Sequence, residues 1–147
     1  MPATYFNEGT IAAVGVRGIH HVGMAVRDLD EAIATYERLF GARVERRDAL
    51  AEQGVEAAAL LVGEGRIELL EPTGDDTPVG RFLARRGPGM HHVAVETDDV
   101  QATLRELADA GAQLIDDVPR RGLYGLEVAF VHPDAVHGVL TEVVSSG

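Results

Sequence analysis

The feature that most constrains this chain is an internal repeat. Gly18-Ile19-His20-His21-Val22 returns 71 positions later as Gly89-Met90-His91-His92-Val93, and at the same offset Asp28-Leu29 is answered by Asp99-Val100. Each half then ends in a short apolar stretch interrupted by one carboxylate. These are Ile67-Glu68-Leu69-Leu70 in the first half and Leu140-Thr141-Glu142-Val143-Val144 in the second. A repeat of this kind makes each half one supersecondary unit, which must pack on its neighbour to bury its apolar face. The 147 residues suit two such half-units sharing one core, and 46% hydrophobic residues can fill it.

Within each half the pattern reads strand, helix, then three strands. Residues 18–26 alternate as a half-buried strand does. Asp28 is placed to cap a helix, with Glu31 three residues on. Leu29, Ile33, Tyr36 and Phe40 follow at helical spacing, and Gly41 stands where the helix should stop. In the second half Asp98 or Asp99 caps, Val100, Leu104 and Leu107 form the apolar stripe, and Gly111 ends it. Strands are expected near 42–48, 53–62 and 65–71, and again near 112–118, 125–131 and 138–144. Thr77-Pro78 predicts a short linker helix running to about Arg86, with Gly87 after it. The expected fold is α+β: two tandem βαβββ modules, 18–72 and 89–144, joined by a linker at 73–88 into one curved mixed sheet with helices outside. Residues 1–17 form an N-terminal extension without periodicity.

Strand alternation assigns faces. His21, Gly23 and Ala25 point one way, and His20, Val22, Met24 and Val26 the other, toward the helix. His92 and Ala94 share a face in the repeat, opposite His91, Val93 and Val95. His21 and His92 therefore sit beside small residues that leave room for an ion and a ligand. Glu68 and Glu142 break apolar strands, where a carboxylate is costly unless it is paired or bound to a metal. A single strand His or Glu is ordinarily structural. The same pair in both halves converges on the pseudo-twofold axis, so His21, Glu68, His92 and Glu142 are the expected ligands of one divalent ion. Two imidazoles and two carboxylates suit Co²⁺, Mn²⁺, Zn²⁺, Ni²⁺ or Mg²⁺. Two open positions on a six-coordinate ion would chelate neighbouring substrate oxygens and stabilise an enolate.

Charge and composition exclude other classes. The net charge of −11 disfavours nucleic acid and anionic membranes. No apolar run approaches the roughly 20 residues of a membrane span, and the N-terminus carries no basic region followed by an apolar stretch. There is no cysteine, hence no disulfide framework and no thiolate metal site. A cytoplasmic location is the expectation. Arg43/Arg46/Arg47, Arg81/Arg85/Arg86 and Arg120/Arg121 form local basic groups, read either as solvated surface or as a clamp for phosphate or carboxylate.

The stretches IHHVGMAVRDLDEAIATYERLFGARV, EQGVEAAALLVG, RIELLEPTGDDTPVGRFLARRGPGMHHVAVETDDV, LIDDVPRRG and FVHPDAVHGVLTEV resemble the methylmalonyl-CoA epimerases of the vicinal-oxygen-chelate superfamily. The likeness runs from about Gly18 to Val144. EQGV, IELLEP and the closing G-V-L-x-E are its most specific parts. The resemblance implies the vicinal-oxygen-chelate fold and the same four ligands, with Glu or Gln at the position of Glu68. It implies interconversion of (2R)- and (2S)-methylmalonyl-CoA, or of a related 2-substituted malonyl thioester, through C2 proton abstraction and a metal-held enolate. It also implies an acyl-CoA substrate and a homodimer. Glu142 is then the expected acid/base on one face of the substrate. Arg85, Arg86, Arg120 and Arg121 are the candidates for holding the polyanionic CoA tail.

Several positions depart from the family pattern. The Asp that commonly precedes the first ligand is His20, and Ala57 stands where some relatives carry a proposed base. Glu56, next to it, should face the other way. His-Pro-Lys reads His132-Pro133-Asp134 here, and Gly122-Leu123-Tyr124-Gly125 keeps two family glycines around changed residues. A glyoxalase-I-like isomerase would use the same site, and only EQGV and IELLEP argue against it. An extradiol dioxygenase ordinarily uses two His and one carboxylate. A binding protein on this scaffold would have lost the ligands that this chain keeps.

Overall fold

The computed structural model describes residues 15–145. The N-terminal extension expected over 1–17 falls mostly outside them. The first half comprises β1 (Val16–Ala25), α1 (Leu29–Phe40), β2 (Arg43–Leu50), β3 (Val55–Val62) and β4 (Gly65–Pro72). A linker helix, α2 (Pro78–Arg86), leads to β5 (Gly89–Thr97), α3 (Val100–Asp109), β6 (Arg120–Arg121), β7 (Glu127–Val131) and β8 (Thr141–Ser145). All eight strands form one sheet in the order β2-β3-β4-β1-β5-β8-β7-β6. β1 pairs with β4 and β5 with β8 in parallel, and the other pairings are antiparallel.

The central β1/β5 pair carries the symmetry. Val22 faces Val93, its own repeat, while His21 faces Ala94 and Gly23 faces His92. An antiparallel pairing of a residue with its repeat places a local twofold at that point, so whatever one half brings to the axis the other half brings too. Of the three register shifts in this ladder, one lies near its start, between Val16 and Gly18, and two lie at the histidines, between Ile19 and His21 on β1 and beside His92 on β5. Each of these two leaves the histidine before the repeated one, His20 or His91, as the extra residue of a bulge, the device that re-aims side chains next to functional sites. This corrects the expectation from simple alternation, which turned both residues toward the helices.

The helices form for the local reasons the sequence gives. Asp28 Oδ1 accepts the Glu31 N–H at 3.0 Å, and Gly41 ends α1 at φ 65°. Asp99, rather than Asp98, caps α3 by accepting the Ala102 N–H at 3.0 Å. Thr77 caps α2, accepting the Gly80 N–H at 3.0 Å, and Pro78 fills the first turn. Leu29 and Ile33 bury against Ala58, Leu60 and Leu69, and Val100 and Leu104 against Ala129, Val131 and Val143. α1 and α3 thus cover the outer face of the sheet. α2 does not: Val79 and Leu83 pack on Ala25, Val55, Ala57 and Leu70, on the inner face that also carries Glu68. Phe40, expected in the α1 stripe, is 62% exposed. The ring lies against Tyr36 instead, 5.7 Å between centroids.

The second half is less regular. The strand expected over 112–118 is reduced to one bridge, Leu114 with Val131, before the two-residue β6. Asp116 Oδ2 accepts the Phe130 N–H at 2.8 Å, and Ile115 and Asp116 both donate to the Phe130 carbonyl. A side chain thus takes up a ladder bond, and Pro119 cannot donate one. The chain here leaves the sheet and becomes a cavity wall. No helix among the described residues is long and apolar enough to cross a membrane.

Candidate metal centre

His21 leaves β1 and His92 leaves β5 on either side of the local axis, both nearly buried. Their Nε2 atoms lie 3.0 Å apart. Glu142 Oε1 is 3.3 Å from His21 Nε2 and 3.9 Å from His92 Nε2. Glu68 Oε1 is 3.6 and 3.7 Å from the same two nitrogens. The ligand atoms of His21, His92 and Glu142 all lie within 4.8 Å of one another. Glu68 approaches the two imidazoles from the other parallel strand. The structure therefore brings together all four residues singled out from the repeat. Gly23 makes room for this: a Cβ there would overlap the His92 ring.

The electrostatics of the cluster fit a cation. Burial, together with the neighbouring His20 and Arg66, pulls His21 down to about 3. Burial, with His21 and His91 beside it, holds His92 well below the ordinary histidine range. Both imidazoles are thus neutral and present lone pairs. Burial pushes Glu68 up to about 7, with Arg66 opposing. Burial and the Glu68 charge push Glu142 well above the carboxylate range, with Arg120 opposing. Two carboxylates facing two neutral nitrogens in a buried place pay a desolvation cost that a divalent ion would offset.

A second layer went unread in the sequence. His20 Nδ1 is 2.8 Å from His21 Nδ1, and His91 Nδ1 is 2.9 Å from His92 Nδ1. The signal available was the doubled His-His pair, and the bulges that give it meaning are not visible in a periodicity. Arg66 steadies the first pair, donating to the His20 carbonyl at 3.1 Å while forking onto Glu45 at 2.8 and 3.1 Å.

A cavity of about 240 Å³ opens over the cluster, lined by Glu68, His91, His92 and Glu142 together with Arg120 and Phe130. Arg120 also lies over the Phe130 ring, 5.4 Å from its centroid, and 3.4 Å from Asp116. Of the four arginines expected to hold substrate, only Arg120 lines this cavity. Arg85 and Arg86 are exposed on the last turn of α2, and Arg121 is exposed on β6. Gln53 lines the cavity and a smaller recess of about 20 Å³ behind it, which His21, Glu142 and Tyr124 also line. The Tyr124 hydroxyl is buried without a hydrogen-bond partner. Ala57 is fully buried under α2, and Glu56 is exposed on the outer side of β3.

Fold and site together define the class. A family model described as Glyoxalase/Bleomycin resistance protein/Dioxygenase superfamily matches residues 20–130. Among curated proteins, the chain is 34% identical to "Methylmalonyl-CoA epimerase, mitochondrial" of Dictyostelium discoideum, over 90% of this chain and 81% of that one. It is also 34% identical to the "Ethylmalonyl-CoA/methylmalonyl-CoA epimerase" of Cereibacter sphaeroides, over 85% and 95%. Among solved structures, a methylmalonyl-CoA epimerase in complex with methylmalonyl-CoA and NH4+ superposes with a TM-score of 0.86 at 39% identity, covering 90% of this chain and 96% of that one. The chain belongs to the methylmalonyl-CoA epimerase family of that superfamily.

Proposed function

We propose that this chain is a metal-dependent epimerase interconverting (2R)- and (2S)-methylmalonyl-CoA, or a closely related 2-substituted malonyl thioester. The observation that carries this reading is the buried cluster of two neutral imidazoles and two carboxylates under a cavity of acyl-group size, in a chain of the epimerase family. His21, Glu68, His92 and Glu142 would hold one divalent ion, of the Co²⁺, Mn²⁺, Zn²⁺, Ni²⁺ or Mg²⁺ type. When bound, that ion supplies Lewis-acid stabilisation of the negative charge that develops on substrate oxygens.

The chain's own groups do the rest. Glu142 borders the cavity, where its carboxylate is the group placed to take a proton from C2 on one face. Inversion needs a second proton carrier on the other face. With Ala57 unable to serve and Glu56 turned outward, a water held by Gln53 in the adjoining recess is the proton carrier at hand. A space of about 20 Å³ is enough for one water. Arg120 supplies the cation for an acyl or phosphate anion at the cavity wall, where a charge-assisted hydrogen bond is strong. Arg85, Arg86 and Arg121 are left to contact the tail outside it.

The same reading carries a homodimer in the cytoplasm, and apolar side chains exposed on the monomer, such as Ile19, Phe40 and Met90, suit a subunit contact. The reaction is tested by offering the metal-loaded protein a single C2 epimer of methylmalonyl-CoA and resolving the epimers by chiral chromatography. The expected result is an approach to an equal mixture that stops when a chelator is added. An epimer recovered unchanged, with metal content verified, removes the reading.

A further inference from the structure

The bulges at His20 and His91 have unequal surroundings. Both rings bond through Nδ1 to the Nδ1 of the histidine that follows. His20 then opens into a recess bordered by Glu45, Arg46 and Arg66. His91 lines the main cavity beside His92, Glu142 and Arg120, with the Phe82 ring of α2 packed edge-on against it, 5.1 Å between centroids. Its second nitrogen, Nε2, has no hydrogen-bond partner among the described residues.

An imidazole that gives its Nε2 lone pair to an ion keeps its one proton on Nδ1. In His92 that Nδ1–H has one acceptor within reach, Nδ1 of His91. To accept, His91 Nδ1 must be bare, so the His91 proton sits on Nε2. Protonating both His91 nitrogens would set two N–H groups against each other across 2.9 Å.

We propose that His91 is a substrate-binding residue, a neutral Nε2–H donor to an oxygen of the acyl group in the cavity, with its tautomer dictated by His92. The inference rests on the proposed function for the identity of the ligand and on the His92 bond for the position of the proton. It gives the site a donor pointed at substrate that carries no charge and cannot turn into an acceptor while the ion is held. His20 is wired in the same way but faces away from the main cavity, so the repeat yields a substrate contact on one side only.

Two substitutions separate the two ends of the ring. An Asn amide reaches about as far as His Nδ1, so His91→Asn keeps an acceptor for His92 and loses the donor toward the cavity. A Gln amide reaches about as far as Nε2, so His91→Gln keeps the donor and loses the acceptor. Zinc affinity is read by chelator competition, and methylmalonyl-CoA affinity by calorimetry at saturating zinc. His91→Asn should weaken methylmalonyl-CoA roughly three- to tenfold, the loss of one hydrogen bond, with zinc affinity held. His91→Gln should weaken zinc about tenfold or more, with the thioester affinity held. Nitrogen-15 spectra of the zinc-loaded wild type should show His91 protonated on Nε2 alone. A proton on His91 Nδ1, or an unchanged thioester affinity in His91→Asn, overturns the proposal. Wild-type protein that binds methylmalonyl-CoA but does not epimerise it would instead overturn the proposed function and leave the His91 contact standing.

Discussion

The two halves of this molecule bring the same His and Glu pair to one axis and surround it differently. In the first half β2, β3 and β4 are full eight-residue strands closed by a tight Gly63-Glu64 turn, and the space beside His20 is polar, braced by Arg66 and Glu45. In the second half β6 has two residues and the β7–β8 connection spans 132–140. There Ile115, Arg120, Phe130 and Leu140 become walls of the cavity. The lesson is one of division. Pairing through β4, β1, β5 and β8 sets the four clustered side chains in place, and lost pairing at the edge of the second half adds walls to the cavity over them. Duplication supplies a symmetric cluster of two histidines and two glutamates, and the symmetry stops one layer out.

The two carboxylates should separate the halves most strongly. Both carboxylates line the main cavity, but Glu142, on the side that Arg120 faces, is proposed to carry the proton, whereas Glu68 is proposed only to ligate. Glu142→Gln should lower kcat by about 10²- to 10⁴-fold at verified metal occupancy, because an amide oxygen ligates but takes no proton. Glu68→Gln, measured in the same assay, should stay within about tenfold of wild type, since no proton passes through it. Equal losses in the two variants would mean that the halves share the proton chemistry.

A second test uses the small residues beside the ligands. Gly23 and Ala94 are repeats of each other, yet a Cβ at Gly23 would overlap His92, while the Ala94 Cβ is accommodated opposite His21. Gly23→Ala should displace the His92 ring and cut activity by about a hundredfold, the usual cost of a misplacement near 1 Å. Ala94→Gly should cost only about 0.5–1 kcal/mol of stability, read by thermal melting, with the metal retained.

How far the sequence could see follows the same division. The repeat His21/His92 and Glu68/Glu142 was legible because symmetry turns spacing into geometry. The caps at Asp28, Asp99 and Thr77 were legible because capping is local. The second layer at His20 and His91 was not, since a β-bulge breaks the period-two rule used to assign faces and leaves no mark in residue type. Nor was the loss of the strand over 112–118, where the Asp116 side chain replaces a backbone partner. Position of α2 on the inner face depends on which face offers the small residues Ala25 and Ala57, a tertiary fact. For the arginines, residue type gave four candidates, and only the chain path through β6 distinguishes Arg120 from the rest.

That distinction predicts a smaller effect. Arg120→Gln should raise KM for methylmalonyl-CoA by several-fold to tenfold, as loss of a charge-assisted hydrogen bond does. Arg85→Gln, Arg86→Gln and Arg121→Gln should each shift it by less than about threefold, and only at low ionic strength. A uniform response across all four would make Arg120 one more surface charge.

The mildest test is pH. In the metal-free fold Glu68 is held up at about 7 against 4.5 when unfolded, so the folded state binds the extra proton between those values. Its contribution to stability is present below about 4.5 and is lost as pH rises to 7. His21 is held down at about 3 against 6.5, so its contribution is present above 6.5 and is lost as pH falls toward 3. The two slopes oppose each other between 4.5 and 6.5. The metal-free protein should therefore melt highest on a plateau near pH 4.5–6.5, and the gain in Tm on adding Zn²⁺ should grow as pH rises to 7 and above. A gain independent of pH would separate the metal from these carboxylates.

Two half-sites made alike by duplication are proposed to hold one ion that lets this chain exchange the C2 proton of a malonyl thioester. Methylmalonyl-CoA incubated in D₂O with metal-loaded protein, and followed by proton NMR, tests that claim most directly. The C2–H signal should be lost at a catalytic rate, with the loss abolished in the stripped protein and restored by adding back one equivalent of metal per chain. A C2–H signal that persists in the metal-replete protein, or one lost equally fast without the ion, would contradict it.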